Sequence, residues 1–304
     1  MITQKAFANS YQVKRLLEEF RNTNHKITFI PAENIILQTG KQLELLTYTT
    51  SGNIHSFYNY DLYVFREIFA FMKDMITTIK LLKHHNKKVF DNNLTQVGYL
   101  NNKLEEAVQL VDNNIHFPKS LHFKDIESLF DNLDYIENYL GGFPIIAKKR
   151  TSGKGAGIYK LSSKQEIISL MQELAKTHRF KHKVVKLFIF QEFLNIKKEY
   201  RVFVVGNKVL SAMQRIPKPG DFRANFSLGG SVKAAQITDI MQDISLKAHQ
   251  AVQAEISGVD YAVTQDNQYY ILEVNRTPGF KGLEQATQVN IAKHIVNYIL
   301  QKYT

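Results

Sequence analysis

Two carboxylates and an amide near the C-terminus carry the most evident chemistry in this sequence. Residues 269–274 alternate as a strand does, so Glu273 and the following Asn275 project from one face. A second alternating run begins at Asp260, and an Asp-Asn turn between the runs predicts a hairpin that pairs Asp260 with Glu273. Such oxygens suit a hard cation such as Mg²⁺, which completes its shell with water and substrate phosphates. The pattern indicates a cation site beside a polyphosphate; the polar face of an exposed hairpin is the alternative.

A glycine-rich loop at 151–158 is the second candidate. It joins an apolar strand to a returning strand and does not meet the G-x-x-x-x-G-K-[ST] pattern of a P-loop. Glycines allow positive φ angles and let backbone N–H groups approach an anion, while Lys148 at the strand end would neutralise phosphate. We interpret the loop as a phosphate-binding lid, with an ordinary hairpin turn as the alternative. Its key residues are Gly153, Lys154, Gly155 and Gly157.

The end of the next apolar strand, at 190–194, is predicted to be a hinge. The segment PheGlnGluPheLeu at 190–194 leads from one group of strands into another. Adenine could lie against Phe193 and Leu194 and bond the backbone there, with Glu192 or Glu199 reaching the ribose. A partly buried strand end is the alternative interpretation.

A basic loop is expected further along the chain. It would carry Arg215, Arg223 and Asn225 close to a Gly-Gly pair at 229–230. Two guanidinium groups and an amide suit bidentate binding of a carboxylate or phosphate. The alternative is a solvated basic loop.

The N-terminal third contains no chemical motif. Periodicity there predicts a helix over 12–20, a short strand at 26–31 and a long amphipathic helix near 61–85. The rest of the chain is expected to alternate strands with helices, which the spacing places over 102–111, 163–177, 240–251 and 289–302.

Composition limits the class of protein. The chain has 304 residues, 44% of them hydrophobic, which suits two or three compact units. No apolar run reaches the length of a membrane span, and the first residues do not resemble a signal peptide. Zero cysteines exclude disulfides, thiolate metal sites and a cysteine nucleophile. These features favour a cytoplasmic protein without a membrane partner.

The formal charge of +11 indicates an anionic partner. Nucleotide phosphates, an acidic protein and a nucleic acid all meet that description, and solubility alone would also explain the charge. Neither basic run, at 83–88 or at 176–186, interleaves aromatic residues on a pair of strands as a surface that stacks single-stranded bases does, which disfavours a nucleic acid.

Five motifs in order resemble one known family. They are FPIIAKKRTSGKGAGI, FQEFLNIKKEYRVFVVG, QRIPKPGDFRANFSLGG, GVDY and LEVNRTPGFKGLEQATQVNIAKHI. From about Asn102 to the C-terminus the chain resembles the ATP-grasp superfamily, most closely its ribosomal-protein glutamate ligases, called RimK-like. The resemblance implies an α/β (α+β) ATP-grasp fold in which two α+β subdomains clasp ATP. It implies a pre-ATP-grasp α/β domain over 1–93, a central subdomain with the glycine-rich lid over 94–187 and a C-terminal subdomain with the metal site over 188–304.

The resemblance also implies roles for individual residues. Lys148 would hold the α- and β-phosphates, with Lys103 as a second nucleotide lysine, while Glu199 stands where the family commonly has an aspartate. The hinge residues toward adenine would be Gln191, Glu192, Phe193 and Leu194. The acyl phosphate or amino-acid substrate would be held by Arg215, Arg223 and Asn225. Mg²⁺, or Mn²⁺ in its place, would be held by Asp260, Glu273 and Asn275. The family's opening strand is replaced here by a helix-like segment.

The implied activity is an ATP-dependent carboxylate–amine ligase that forms an amide through an acyl phosphate. Its expected product is glutamate, or another amino acid, attached to an acidic protein or peptide acceptor. Ligation of small molecules and modification of peptides are alternatives within the same class, and a nucleotide-binding regulatory protein is the non-enzymatic alternative. The donor acid, the amine acceptor and the formation of a homo-oligomer stay open.

Overall fold

A computed structural model of the chain describes residues 1–41, 43–49, 51–91, 94, 102–150, 157–177, 181–218 and 230–303. Several predicted site residues lie outside these ranges: Gly153, Lys154, Gly155, Arg223 and Asn225.

The N-terminal third begins with short parallel strands. These are β1 (Ile2–Thr3), β2 (Ile30–Pro31), β6 (Leu62–Val64) and β7 (Lys88–Phe90). β1 pairs with β2, β6 pairs with β7, and a parallel bridge from Ile2 to Phe65 joins the two pairs. The chain therefore does open with a strand, and the expectation that it opens with a helix is wrong. Between these strands stands an antiparallel meander of β3 (Ile35–Gln38), β4 (Glu44–Tyr48) and β5 (Ile54–Ser56).

Two helices accompany these strands, α1 (Tyr11–Arg21) and α2 (Met72–His84). Ser10 caps α1 by accepting a hydrogen bond from the Val13 N–H at 3.3 Å. The predicted helix near 61–85 is wrong in its first part, because residues 62–64 form β6 and α2 begins only at Met72. A strand buried on both faces reads as a continuous apolar run, which periodicity cannot separate from a buried helix.

The central part is a four-stranded sheet covered by helices. Its strand order is β10-β9-β11-β8, formed by β8 (Ser120–Leu121), β9 (Ile145–Lys149), β10 (Ile158–Leu161) and β11 (Phe188–Glu192). Its helices are α4 (Ile126–Phe130), α5 (Leu133–Leu140) and α6 (Lys164–Thr177). The antiparallel pairing of β9 with β10 and the helix after it confirm the sequence prediction.

The C-terminal part is a five-stranded antiparallel sheet. Its order is β14-β13-β12-β15-β16, formed by β12 (Ile196–Val205), β13 (Lys208–Ile216), β14 (Ser231–Ala235), β15 (Ile256–Thr264) and β16 (Tyr269–Asn275). Its helices are α7 (Asp239–Ala251), α8 (Lys281–Thr287) and α9 (Ile291–Tyr303).

Arg215 lies on β13 and not in the loop that the sequence suggested. It is paired with Glu199 on β12 and with Val232 on β14. Residues 211–213 in the middle of β13 are all buried, so the period of two that identifies a strand is interrupted there.

The hydrophobic cores join parts of the chain that are distant in sequence. Helix α1 shares a core with α9, where Leu16 and Phe20 belong to the same cluster as Ile295 and Ile299. Helix α3 (Lys103–Asp112) contributes Leu110 to the core beneath the C-terminal sheet. The predicted domain boundaries at residues 93 and 187 stay a prediction. Each of these two hydrophobic cores contains residues from both sides of a predicted boundary. No helix within the described ranges is long and apolar enough to cross a membrane.

Candidate functional site

β15 and β16 form the hairpin that the sequence predicts. Asp260 lies opposite Glu273, and Gly258 lies opposite Asn275, which confirms the predicted pairing. A bulge after Asp260 shifts the register. Because of this shift, Ile271 and Val274 both face the core, although they are an odd number of residues apart.

The loop after Asn275 packs directly on this hairpin. Asn275 Oδ1 accepts a hydrogen bond from the Thr277 N–H at 2.9 Å, which turns the chain at the end of β16. A Cβ at Gly258 would lie 2.8 Å from Cβ of Pro278, closer than real Cβ atoms approach. Glycine at 258 therefore permits the loop to sit against β15.

Two arginines hold Asp260. Arg201 donates from Nε and Nη2 to the two carboxylate oxygens at 2.6 and 2.7 Å, and Arg215 Nη1 donates to Oδ2 at 2.9 Å. Burial alone would raise the pKa of Asp260, but the two guanidinium groups outweigh it and hold the pKa below its ordinary value. Asp260 is therefore a fixed anion within the sheet.

Arg215 extends this network to Glu199. Its Nη1 donates to Glu199 Oε1 at 3.0 Å, and its side chain is only 6% exposed. Burial raises the pKa of Glu199, and the charge of Arg215 offsets part of that rise. Within the described residues, the hydrogen bonds of the Arg215 side chain thus go to carboxylates of the protein.

Glu273 is held by Lys103 from α3, at 3.0 Å between Nζ and Oε2. One helical turn further along α3, Glu106 is buried and accepts a hydrogen bond from the Val274 N–H at 3.1 Å. Burial, and secondly the charge of Glu273, raise the pKa of Glu106 to about 7. Helix α3 therefore fixes both the side chain of Glu273 and the backbone beside it.

Lys148 approaches this cluster from the central sheet. Burial, and secondly the charge of Lys103, lower the pKa of its ammonium to about 8, while Glu273 and Glu199 act in the opposite direction. Lys148 is therefore within electrostatic reach of groups on the C-terminal sheet. Its sheet neighbours Ile146 and Ile189 are buried, yet neither belongs to the core under the central helices. This face thus combines two buried isoleucines with two lysines, because Lys160 on β10 pairs with Ile146.

The predicted hinge connects the two sheets. Gln191 is buried, and its Nε2 donates to Ser120 Oγ at 2.9 Å. Glu192 Oε1 accepts a hydrogen bond from the Lys119 N–H at 2.6 Å, and Lys160 Nζ lies 4.2 Å from the centre of the Phe193 ring. Leu194 is partly exposed and follows directly. The side chains of Gln191 and Glu192 thus bind protein partners on β8 and beside it.

The structure brings seven of the predicted residues together between the two sheets. They are Lys103, Lys148, Glu199, Arg215, Asp260, Glu273 and Asn275. Sequence reasoning missed Arg201, Glu106, Ile146 and Ile189. Glu106 stands three residues from Lys103 on a predicted helix, and Ile146 stands two residues from Lys148 on a predicted strand, so the spacing alone places each pair on one face. Gly157 lies at the end of the glycine-rich loop with a φ of 69°.

The donor set suits a hard cation. Two carboxylates face each other across the hairpin and an amide oxygen follows, which is oxygen chemistry typical of Mg²⁺. Within the part of the chain that the structure describes, no three His, Cys, Asp or Glu side chains cluster as a metal site. Of the two carboxylates Glu273 is the more available donor, because among the described residues Lys103 alone holds it while Asp260 accepts three hydrogen bonds.

Comparison with known proteins identifies the class. Residues 100–299 match the RimK-like ATP-grasp domain, so the chain belongs to this family, as its motifs predicted. A probable alpha-L-glutamate ligase of Coxiella burnetii (strain Dugway 5J108-111) is 34% identical over 171 residues, which cover 56% of this chain and 54% of that protein. The chain spans about half the length of the curated relatives it matches.

Solved structures share the fold over the whole chain. The ATP-grasp ligase PsnB, complexed with a phosphomimetic variant of its minimal precursor, Mg and ADP, has a TM-score of 0.69 at 18% identity and covers 100% of this chain and 97% of its own. The D-cycloserine synthetase DcsG has a TM-score of 0.71 at 11% identity, with coverage of 100% and 98%. These similarities confirm the predicted ATP-grasp fold.

Proposed function

We propose that this chain is an ATP-dependent carboxylate–amine ligase that forms an amide through an acyl phosphate. Its product would be glutamate, or another amino acid, attached to a protein or peptide acceptor. The observation that carries the proposal is the cross-strand pair of Asp260 and Glu273, set within electrostatic reach of Lys148 from the opposite sheet. The glutamate ligase among the relatives supports the amino-acid substrate.

ATP would lie between the two sheets. Ile146 and Ile189 provide the apolar surface on which a purine would rest, and the hinge backbone at 191–194 would bond its edge. Phe193 and Leu194 would border the base, and Glu199 would reach the ribose with the oxygen that Arg215 does not bond.

The phosphates would lie against Lys148 and Lys103. Lys103 would turn its ammonium from Glu273 toward phosphate, which frees the Glu273 carboxylate. The backbone of the glycine-rich lid, with Lys154, would cover the phosphates from the other side.

Asp260, Glu273 and Asn275 would hold Mg²⁺, and Mn²⁺ would be an acceptable replacement. When bound, the cation would neutralise charge on the polyphosphate. Arg201 and Arg215 keep Asp260 ionised and oriented, and Glu106 holds the backbone next to Glu273. These residues position the donors without touching substrate.

The reaction uses no protein nucleophile. A carboxylate oxygen of one substrate attacks the γ-phosphorus and ADP leaves; the amine nitrogen of the other then attacks the acyl carbon, loses a proton and releases phosphate. Arg223 and Asn225 would hold the acyl phosphate, and Arg215 would add positive charge from the same face of the sheet as Asp260. Rate acceleration would come from positioning and charge neutralisation.

Trapping with hydroxylamine tests the chemistry. The full chain, incubated with ATP, Mg²⁺, hydroxylamine and a panel of acids, should form a hydroxamate from the right acid. Turnover of ATP across a broad panel without any hydroxamate would contradict an acyl phosphate. Absence of any ADP formation would favour a regulatory nucleotide-binding protein.

Mass spectrometry identifies the acceptor. Products formed from ATP, Mg²⁺, glutamate and a cell extract should include a protein or peptide heavier by whole amino-acid residues. An added mass on a small metabolite would favour a small-molecule ligase. A loss of water within a peptide would indicate peptide modification by internal amide or ester links.

A further inference from the structure

The residue just before the glycine-rich loop is attached to the start of helix α3. The carbonyl oxygen of Arg150 accepts a hydrogen bond from the Lys103 N–H at 3.1 Å. The Arg150 side chain reaches the residue before Lys103, where Nε donates to Asn102 Oδ1 at 3.1 Å. The backbone and the side chain of Arg150 therefore hold two consecutive residues, which fixes both the position and the direction of the start of α3.

Asn102 uses the same oxygen for a second contact. It is the N-cap of α3, and its Oδ1 accepts a hydrogen bond from the Leu104 N–H at 3.3 Å. An amide oxygen has two lone pairs, so it can accept from the helix N–H and from the Arg150 guanidinium together. A shift of α3 away from Arg150 would therefore disturb the capped end of the helix as well.

Arg150 is itself anchored in the central sheet. Its N–H donates to the Leu187 carbonyl at 2.7 Å, and its Nη1 donates to the Lys186 carbonyl at 3.1 Å. Leu187 directly precedes β11, the strand that pairs with β9. The planar guanidinium can donate to Asn102 and to Lys186 at once, because its N–H groups point in fixed directions. Arg150 is thus a rigid link between the central sheet and α3.

The middle of α3 is attached to the C-terminal sheet. Glu106 accepts the hydrogen bond from the Val274 N–H, and Gln109 Oε1 accepts one from Nη2 of the buried Arg276 at 2.7 Å. Glu106 and Gln109 are three residues apart, so they lie on one side of the helix. Helix α3 therefore connects the C-terminal sheet with the central sheet.

The attachment at Arg150 brings two lysines together. Lys103 directly follows Asn102, and Lys148 stands two residues before Arg150 on β9. Burial, and secondly the charge of Lys103, lower the pKa of Lys148, so the two ammonium groups are within electrostatic reach of each other. Like charges repel, and this repulsion would drive the helix and the strand apart unless other contacts opposed it. The contact between Arg150 and Asn102 stands where it opposes that separation.

We propose that Asn102 and Arg150 are positioning residues, which hold Lys103 and Lys148 at a separation from which both ammonium groups bind one polyphosphate. The assignment rests on the proposed function, because it takes the two lysines as phosphate contacts of ATP. Asn102 and Arg150 act through the lysines and need not touch the nucleotide. AMP has a single phosphate and gains little from a second lysine, so the contact should matter for ATP and hardly for AMP.

Calorimetric titration of the full chain with Mg²⁺ and a non-hydrolysable ATP analogue tests the assignment, and AMP is measured by its displacement of the analogue. Arg150→Lys keeps the positive charge but lacks the planar fork that reaches Asn102 and Lys186 together. Asn102→Ala removes the acceptor. We expect each variant to bind the analogue about tenfold more weakly and AMP within about twofold of the parent. The double variant should lose no more than either single variant, because both substitutions remove the same contact.

Matched controls separate positioning from folding. Asn102→Asp keeps the cap and the acceptor for Arg150, so its affinity for the analogue should stay within about threefold of the parent. Thr238→Ala removes the N-cap of α7, where Thr238 Oγ1 accepts from the Met241 N–H at 3.2 Å. It should lower the Tm about as much as Asn102→Ala does and leave analogue affinity unchanged. Where Asn102→Ala fails to fold, Arg150→Lys leaves the cap in place and keeps the test valid.

Four results would overturn the assignment: parental affinity for the analogue in both single variants, an equal loss for AMP, additive losses in the double variant, or the same loss in Thr238→Ala. The titration needs neither acid nor amine, so it is independent of the hydroxylamine assay. If the parent chain does not bind the analogue, the proposed function fails and the assignment with it. If the parent binds the analogue and the variants bind it equally well, the positioning role alone fails.

Discussion

The two sheets that enclose the candidate site differ in the side chains that they present to it. The C-terminal sheet presents an ion-paired network in which Arg201 and Arg215 together donate three hydrogen bonds to Asp260. The central sheet presents the apolar pair Ile146 and Ile189 with Lys148 and Lys160 beside them. The C-terminal sheet relies on paired charges, and the central sheet relies on apolar packing.

This difference has an energetic consequence. Charged groups buried in the C-terminal sheet are costly unless each keeps its partners, so removal of one partner should affect folding as well as function. Truncation of an isoleucine on the central sheet leaves no charge without a partner and removes only a small apolar contact area. Substitutions on the two faces should therefore differ in size and in what they change.

The largest effect is expected at Glu273, the donor that pairs with Lys103. Glu273→Gln keeps the shape but removes the negative charge opposite Asp260, and we expect turnover to fall by more than about 100-fold. Steady-state ADP release with the identified acid and amine measures this effect. Glu127→Gln, an exposed carboxylate on α4, is the control. Turnover equal to that of the parent would refute the metal assignment.

The next effect concerns stability at Arg201. Arg201→Met leaves Asp260 buried with one guanidinium partner, and we expect the free energy of unfolding to fall by about 3 kcal/mol. Urea denaturation measures it. The control is Lys247→Met, which removes an exposed pair with Asp243 on α7 and should cost less than about 0.5 kcal/mol. Similar losses in the two variants would mean that burial does not strengthen the network.

The polar face was partly predictable from the sequence. Alternation along β16 and the turn before it were enough to pair Asp260 with Glu273, because a period of two and a short turn determine a hairpin register. Arg201 was missed as a partner of Asp260, since pairing of β12 with β15 joins residues far apart in sequence. Arg215 was placed in a loop because burial interrupts the alternation of β13.

The apolar face and the N-terminal third were harder to predict. Ile145 and Ile146 look alike in sequence, and only the packing of helices on one side of the sheet decides which faces the candidate site. In the N-terminal third, β6 resembles the start of a helix because both are apolar runs. The core that α1 shares with α9 joins residues far apart in sequence, which no local pattern shows.

We expect Lys148 to make nucleotide affinity depend on pH. Its pKa is lowered to about 8, so the ammonium is charged below pH 8 and loses its proton above it. Phosphate binding favours the charged form, and affinity for the Mg²⁺–nucleotide should therefore fall as pH rises through 8, by at most about tenfold per pH unit. Fluorescence titration with a labelled ATP analogue from pH 7 to pH 10 measures it. Lys148→Arg keeps its charge and should show a flat profile; a slope identical to that of the parent would assign the titration to another group.

The smallest effect distinguishes two adjacent isoleucines on opposite faces of β9. Ile146→Val removes one methylene from the face toward the proposed nucleotide site, so nucleotide affinity should fall about fourfold, the equivalent of about 0.8 kcal/mol. Because Ile146 is buried, the free energy of unfolding should also fall by about 1 kcal/mol. Ile145→Val removes the same group from the core under the central helices and should cost about 1 kcal/mol of unfolding free energy while affinity stays constant. Calorimetric titration and denaturation of both variants check the pair. Equal loss of affinity in the two variants would mean that the purine does not rest on the face that carries Ile146. The proposed division between a charged C-terminal sheet and an apolar nucleotide surface on the central sheet would then be wrong.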